Sequence, residues 1–125
     1  MQFVELHARS AFSFLEGASV PEALVYACVR QQLPAMALLD RNGLYGSPRS
    51  HLSAKSNGLK SHVGAELSVG DTLASRSTYY PLLVKDRVGY QNLCRLITKT
   101  KLRTSKNKPS MATLAELGVR PRIAF

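Results

Sequence analysis

Strand-like and helix-like patterns alternate along the chain. Short apolar runs predict four strands, in "FVEL", "LPAMALLD", "HVGAELSV" and "TYYPLLVK". The second run is apolar on both faces, which is typical of a central strand in a parallel sheet. Between these runs, apolar residues recur at helical spacing in "GASVPEALVYACVRQQ" and "RVGYQNLCRLITK" and predict helices there. A short helix is also expected in "SPRSHLSAKSNG", because Ser47 can cap it and Pro48 suits its first position. This order predicts an α/β fold in which largely parallel strands alternate with helices.

Residues that commonly cap helices define the expected ends of these elements. Ser19 and Glu22 have the spacing of a capping box, so we expect the first helix to begin there. Gly58 is expected to end the second helix, because glycine readily leaves the helical conformation. Asp86 is expected to cap the third helix through its carboxylate.

Size and composition indicate one globular domain. The chain has 125 residues, of which 45% are hydrophobic and 20% charged. Its apolar runs are far shorter than the roughly 18 residues of a membrane span, and its start lacks an apolar signal core. We therefore expect no membrane partner and a cytoplasmic location. Cys28 and Cys94 are far apart and are expected to be reduced thiols.

Positive charge is concentrated in the last third of the chain. Residues 1–84 carry seven basic and six acidic side chains, a net +1, whereas residues 85–125 carry ten basic and two acidic side chains, a net +8. Such a concentration attracts polyanions and favours DNA as a partner. The alternative is a solvated, lysine-rich loop. The candidate nucleic-acid-binding residues are Lys99, Lys101, Arg103, Lys106 and Lys108.

Three candidate metal ligands lie near the ends of predicted strands. His7 is expected just past the first strand, Asp40 at the end of the second, and Glu66 within or at the end of the third. The carboxyl ends of parallel strands share one edge, where loops converge. An imidazole suits zinc or manganese, carboxylates suit manganese or magnesium, and a bound metal can ionise a water that attacks a phosphodiester.

Each of these residues also has a purely structural interpretation. Asp40 can cap the turn that follows it through its carboxylate. Glu66 can form an ion pair with Arg9 or Arg41 instead of binding a cation. A single histidine such as His7 can be a hydrogen-bonded structural residue. These three residues alone therefore do not decide between a metal site and a structural role.

Four stretches, "FVELHARSAFSFLEGAS", "PAMALLDRNGLYG", "SAKSNGLKSHVGAEL" and "PLLVKDRVGYQNLCRLIT", together resemble a known family. They are similar to the N-terminal PHP domain of bacterial C-family DNA polymerases, the DNA polymerase III alpha-subunit type, and above all to the error-prone branch. The resemblance covers residues 3–117. It implies the N-terminal part of a seven-stranded (βα) barrel variant, here incomplete. It also implies a parent enzyme that synthesises DNA in replication and translesion repair with magnesium.

The resemblance also assigns the candidate ligands, with two departures. His7 matches the first histidine of the family's H-x-H motif, Asp40 the acid of its "TDH" turn, and Glu66 the glutamate of its "GAE" motif. Arg9 and Arg41 stand where the family has histidines. Arginine stays protonated and offers no lone pair to a metal.

These departures predict a degenerate metal site, with no cofactor expected in this chain. We expect the two guanidinium groups to neutralise Glu66 and Asp40. The alternative is a weakened zinc or manganese site beside arginines that bind phosphate.

The predicted organisation has three parts. Residues 1–103 form a partial PHP domain, residues 104–110 a basic flexible linker, and residues 111–125 a short helix and a divergent tail, "GVRPRIAF". The resemblance implies that the polymerase carboxylates lie in a palm domain outside this sequence, so we expect no catalytic residues here. Expected partners are DNA and the rest of the polymerase or replication and repair proteins. The alternatives are a stand-alone PHP phosphoesterase and a small basic nucleic-acid-binding module.

Overall fold

The computed structural model describes residues 2–70, 78–108 and 110–118, and the backbone of residues 123–124. The elements, in chain order, are β1 (Glu5–Ala8), α1 (Pro21–Arg30), β2 (Ala35–Arg41), α2 (Ser47–Ser56), β3 (Lys60–Val69), β4 (Thr78–Val84), α3 (Arg87–Arg103), α4 (Leu114–Gly118) and β5 (Ile123–Ala124).

The strands form one sheet in the order β1-β2-β3-β4-β5. The α/β class is confirmed, but the sheet is mixed. β1, β2 and β3 are parallel, whereas β4 is antiparallel to both β3 and β5. The reason is the short connection from Val69 to Thr78, since a parallel crossover needs about a dozen residues or more.

The described helices α1, α2 and α3 pack on the same face of this sheet. α1 and α2 cover Met36 and Leu38 of β2, and α3 covers Ala65 and Leu67 of β3. Asp40 lies opposite Ala65 in the β2–β3 register, and residues two apart on a strand share a face. One face of the sheet therefore carries Met36, Leu38, Asp40 and Ala65. The residues that alternate with them along each strand point to the other face.

The predicted helix ends are partly correct. Asp86 caps α3 by accepting a 2.8 Å hydrogen bond from the backbone N–H of Gly89, and Gly58, with φ of +69°, follows the end of α2. The predicted capping box at Ser19 is wrong. The N-cap of α1 is Val20, whose apolar side chain cannot make a cap bond. The Glu22 carboxylate is bound by Arg49 of α2 at 2.6 and 2.9 Å.

The end of α3 coincides with the end of the predicted partial PHP domain. Thr104 follows the helix, and its hydroxyl donates to the carbonyl of Thr100. The predicted tail lies mainly outside the described residues, and the domain boundaries stay predictions. Cys28 and Cys94 are free thiols. Among the described residues, no helix has the length and apolar character needed to cross a membrane.

Candidate functional site

The sheet face opposite α1, α2 and α3 carries four of the five residues singled out at the strand ends. His7 lies within β1 and not past its end, and Arg9 follows that strand directly. Arg41 is the last residue of β2 and lies opposite Glu66 of β3 in the sheet register. Their side chains therefore leave the same face and meet above it.

Glu66 is the centre of this cluster. Its side chain is only 7% exposed, and one oxygen, Oε2, accepts from Nη2 of Arg9. The same oxygen lies 3.7 Å from Nη2 of Arg41 and 3.2 Å from Nε2 of His7. The buried carboxylate is thus surrounded by donors, and two of these donors are permanent cations.

A second carboxylate, which the sequence did not single out, completes the cluster. Oε2 of Glu16 lies 3.4 Å from Nη1 of Arg9 and 3.3 Å from Nη2 of Arg41. The Arg41 guanidinium also stacks on the Tyr79 ring, 3.6 Å from its centroid. Two acids and two guanidinium groups balance each other, so the cluster is close to neutral when His7 is uncharged.

The loop between β1 and α1 places Glu16. Its backbone N–H and that of Gly17 both donate to the carbonyl of Ser13, which makes a compact turn. A β-carbon at Gly17 would collide with the carbonyl of Ser10, so this close approach requires glycine. No periodic pattern signals the role of Glu16, because its position depends on how the loop folds back over the sheet.

Asp40 lies on the opposite face and does not join the cluster. It is 2% exposed and accepts hydrogen bonds from the backbone N–H and hydroxyl of Ser10, the hydroxyl of Ser13 and the backbone N–H of Gly46, at 2.9 to 3.1 Å. The expectation that arginines neutralise Asp40 is therefore wrong. The reason is strand alternation, since Asp40 and Arg41 are consecutive residues of β2 and point to opposite faces.

The residues of the cluster do not fit a divalent metal. His7 and Glu66 are the only two of the three predicted ligands that meet, and both guanidinium groups approach the carboxylate that a metal would need. Within the described ranges, no three or more histidine, cysteine, aspartate or glutamate side chains are arranged to hold a metal ion.

The predicted nucleic-acid-binding residues occupy the C-terminal part of α3 and the turn after it. All five are exposed, but three are engaged within the chain. Lys99 and Arg103 pair with Glu116 at 3.0 and 2.8 Å, and Lys101 donates to the Tyr45 hydroxyl. Lys106 and Lys108 have no ion pair in the part of the chain that the structure describes.

Glu116 is the acid that organises this region. Its carboxylate accepts from Arg103 and from the backbone N–H of Thr113, whose hydroxyl accepts in turn from the backbone N–H of Glu116. This is a capping box at the start of α4. The Arg103 hydrogen bond, followed by the Thr113 and Lys99 contacts, lowers the pKa of Glu116 from its ordinary value of 4.5 to about 2.

The chain is similar in sequence to the N-terminal region of error-prone DNA polymerases. It is 50% identical over 98 residues to an error-prone DNA polymerase of Anaeromyxobacter sp. (strain K), a match that covers 78% of this chain and 9% of that protein. It is 40% identical over 115 residues to an error-prone DNA polymerase of Corynebacterium diphtheriae, covering 92% of this chain and 11% of that protein. The chain thus spans about a tenth of these relatives and matches their N-terminal region.

Solved structures share the fold at low identity. A protein assigned as a metal-dependent phosphoesterase from Bifidobacterium adolescentis superposes with a TM-score of 0.64 and 20% identity, covering 81% of this chain and 34% of that one. An amidohydrolase from Chromobacterium violaceum, determined with bound sulfate and no metal, gives the same TM-score and identity and covers 79% and 33% of the two chains. The family model described as "PHP domain" matches residues 5–119, and the chain therefore belongs to the PHP domain family.

Proposed function

We propose that this chain is the N-terminal PHP region of a C-family error-prone DNA polymerase, and that its former metal pocket serves as a structural anchor. The identity to error-prone polymerases supports the parentage. On this proposal, magnesium-dependent nucleotidyl transfer belongs to the rest of the polymerase, together with its role in replication and translesion repair in the cytoplasm. This region contributes no polymerase catalytic residue and acts as a scaffold for the remaining chain and its repair partners.

The contacts of Glu66 with its cationic neighbours are the observation that supports the proposed structural anchor. A buried carboxylate without partners would be costly, and its charge is compensated by Arg9, which follows β1, and by Arg41 of β2. A divalent ion at the same oxygen would face two positive charges at close range. Each such repulsion is about 4 kcal/mol per unit charge at 4 Å near a protein surface. The cluster therefore favours a metal-free anchor over zinc or manganese binding.

Calorimetric titration with zinc and with manganese tests the anchor. We expect no stoichiometric binding to the natural chain, because the arginines occupy the carboxylate. In the double variant Arg9→His and Arg41→His, two imidazoles join His7 and Glu66, and we expect binding of one ion to appear. Its matched control, Lys60→His with Arg87→His, adds two histidines at exposed positions away from the cluster. One ion bound by the natural chain and lost in Glu66→Gln would contradict the proposal.

The stand-alone phosphoesterase is the weaker alternative. A structural neighbour is assigned as a metal-dependent phosphoesterase, but the likeness at 20% identity concerns the fold alone. That activity requires a metal held by protein ligands, and here the third candidate, Asp40, is fully engaged on the other face of the sheet. The metal titration above separates the two functions, since only a phosphoesterase needs an ion in the natural chain.

We further propose that the basic surface of α3 and the following turn contacts nucleic acid. The net +8 of residues 85–125 supports this, as does the exposure of Lys106 and Lys108. Binding should weaken steeply with salt, because bound lysines displace counterions from the phosphates. In the double variant Lys106→Ala and Lys108→Ala, we expect the slope of log affinity against log salt to become shallower by up to about 2 for duplex DNA.

A matched control removes the same charge elsewhere. The double variant Lys55→Ala and Lys60→Ala loses two exposed lysines from the first part of the chain, so its salt slope should equal that of the natural chain. Salt-independent binding, or equal slopes for both double variants and the natural chain, would contradict a nucleic-acid contact at this surface.

A further inference from the structure

A shallow apolar groove lies between α3 and the turn after β2. Its volume is about 380 Å³, and it is lined mainly by carbon atoms. Ile97 and Leu102 form the wall on α3, whereas Leu44 and Tyr45 form the wall on the turn. Leu102 is 83% exposed and Tyr45 50% exposed, so large apolar surfaces face solvent here. The groove is separate from the Glu66 cluster and plays no part in the anchor.

The Tyr45 ring is held in place although half of it is exposed. Nζ of Lys101 donates to the Tyr45 hydroxyl and lies 4.6 Å from the ring centroid. A β-carbon at Gly43 would collide with the ring, so the ring lies close against the backbone of the turn. Leu44, the residue before Tyr45, packs against the core cluster under α3 and fixes the turn. An ordered, accessible aromatic ring therefore borders the groove.

Cationic side chains follow the adjacent stripe of α3. Arg95, Lys99 and Arg103 are spaced by four residues and are exposed, so they form one row with steps of about 6 Å along the helix. Lys99 and Arg103 share Glu116, while Arg95 has no ion pair among the residues that the structure describes. Lys101 lies at the groove itself, and Leu102, three residues after Lys99, lies between the groove and the row, so the ring, the apolar slot and the positive charges occupy neighbouring sides of α3.

We infer that this groove binds an unpaired nucleotide of single-stranded nucleic acid, with a base stacked on Tyr45 and neighbouring phosphates on the α3 cations. The inference rests on the proposed nucleic-acid contact and names its substrate class. Positive charge selects a polyanion. A stacking ring beside an apolar slot selects single strands. The faces of an unpaired base are free to stack on the ring, whereas those of a paired base are covered by its neighbours in the duplex. When the strand binds, Nζ of Lys101 leaves the Tyr45 hydroxyl and contacts a phosphate instead.

Fluorescence anisotropy of the full chain with labelled DNA tests this inference. The probes are an oligothymidylate of about 16 nucleotides and a duplex of the same length. We expect tighter binding to the single strand, and Tyr45→Ala should weaken that binding about tenfold without changing duplex binding. Tyr45→Phe keeps the ring and should retain the affinity. Tyr26→Ala is the matched control, because Tyr26 is 53% exposed and lies on α1.

Tryptophan emission provides a second readout at the ring itself. The chain contains no tryptophan, so Tyr45→Trp introduces a single reporter. Stacking of a base should quench its emission when oligothymidylate is added, and duplex DNA should not. Tyr26→Trp, the reporter at the control position, should keep its emission with both probes.

The outcomes separate the inference from the proposal on which it rests. Salt-dependent binding with equal affinity for strand and duplex, and no effect of Tyr45→Ala, would overturn the groove inference and leave the basic surface intact. No binding of either probe at low salt would overturn both. Unchanged emission of Tyr45→Trp at saturating oligothymidylate would also overturn the stacking arrangement.

Discussion

Arg41 and Glu66 lie directly opposite each other in the parallel pair of β2 and β3, and their side chains meet on the sheet face opposite α1, α2 and α3. The neighbouring acid, Asp40, points to the helix-covered face and is satisfied there by serine donors. Two carboxylates that are close in the sheet therefore have unrelated environments. One is compensated by guanidinium groups, and the other accepts neutral hydrogen bonds.

Removal of the Glu66 charge should destabilise the fold. In Glu66→Gln, the guanidinium groups of Arg9 and Arg41 lose their buried partner and keep Glu16 as an acidic partner. Breaking a buried pair from one side costs about 3–5 kcal/mol, and the partial exposure of both arginines places the expected loss near the lower end, about 3 kcal/mol. Urea denaturation measures this loss as a lower free energy of unfolding.

The matched control for this variant is Glu22→Gln. Glu22 also binds an arginine, Arg49, with two hydrogen bonds, but this pair joins α1 and α2 at an exposed position. Surface pairs contribute little to stability, so the expected loss is much smaller than that of Glu66→Gln. Equal losses in the two variants would show that Glu66 is no more than a surface partner of the arginines.

Asp40→Asn should be more damaging than its small change in volume suggests. Oδ1 and Oδ2 of Asp40 accept from Ser10, Ser13 and Gly46, which ties the loop after β1 to the turn before α2. An amide replaces one acceptor oxygen with a donor, which then faces other donors in a buried site. Unsatisfied buried groups cost about 1–3 kcal/mol each, so we expect a loss of about 2–3 kcal/mol in urea denaturation.

Ser13→Ala provides the comparison within the same network. It removes one donor to Asp40 and one acceptor for the backbone N–H of Arg41, but leaves the Ser10 and Gly46 bonds in place. The expected loss is about 1–2 kcal/mol, because two hydrogen bonds with a net value of about 1 kcal/mol each are removed. A larger loss in Ser13→Ala than in Asp40→Asn would contradict the central role of the carboxylate.

Much of the fold could be predicted from the sequence because burial leaves a pattern. The apolar run in β2 and the apolar spacing of α3 indicated which residues form the core, and Leu93 and Leu96 are fully buried. The direction of β4 was not predictable in this way. Alternation along a strand reports which face is buried, and it is the same for parallel and antiparallel neighbours.

The sequence indicated the chemical character of the candidate site but not its geometry. Arginine in place of histidine indicated that a metal would lose ligands, whatever the geometry. The sequence did contain the signal that separates Asp40 from Arg41, since consecutive strand residues point to opposite faces. Glu16 gave no signal, because a loop has no period, and its position depends on bonds to Ser13 and on Gly17.

Acid should weaken the contact between α4 and α3 through Glu116. Its pKa is about 2 in the folded chain, below its ordinary value of 4.5, so folding favours the charged form. The stabilisation is therefore present in full above about pH 4.5 and is lost as the pH falls towards 2. We expect Glu116→Gln to lower the free energy of unfolding by about 1 kcal/mol at pH 7, since salt and solvent screen the Arg103 pair. The difference should shrink as the pH approaches 2, where the carboxylate is about half protonated in the folded chain.

Urea denaturation of both chains between pH 2 and pH 7 measures this difference. Arg103→Gln is the matched test of the cause, because it removes the partner with the largest effect on the pKa of Glu116 and leaves the Thr113 bond intact. In that background, the effect of Glu116→Gln at pH 7 should shrink. A difference that stays constant across the whole pH range would show that Glu116 acts through the shape of its capping box and not through its charge.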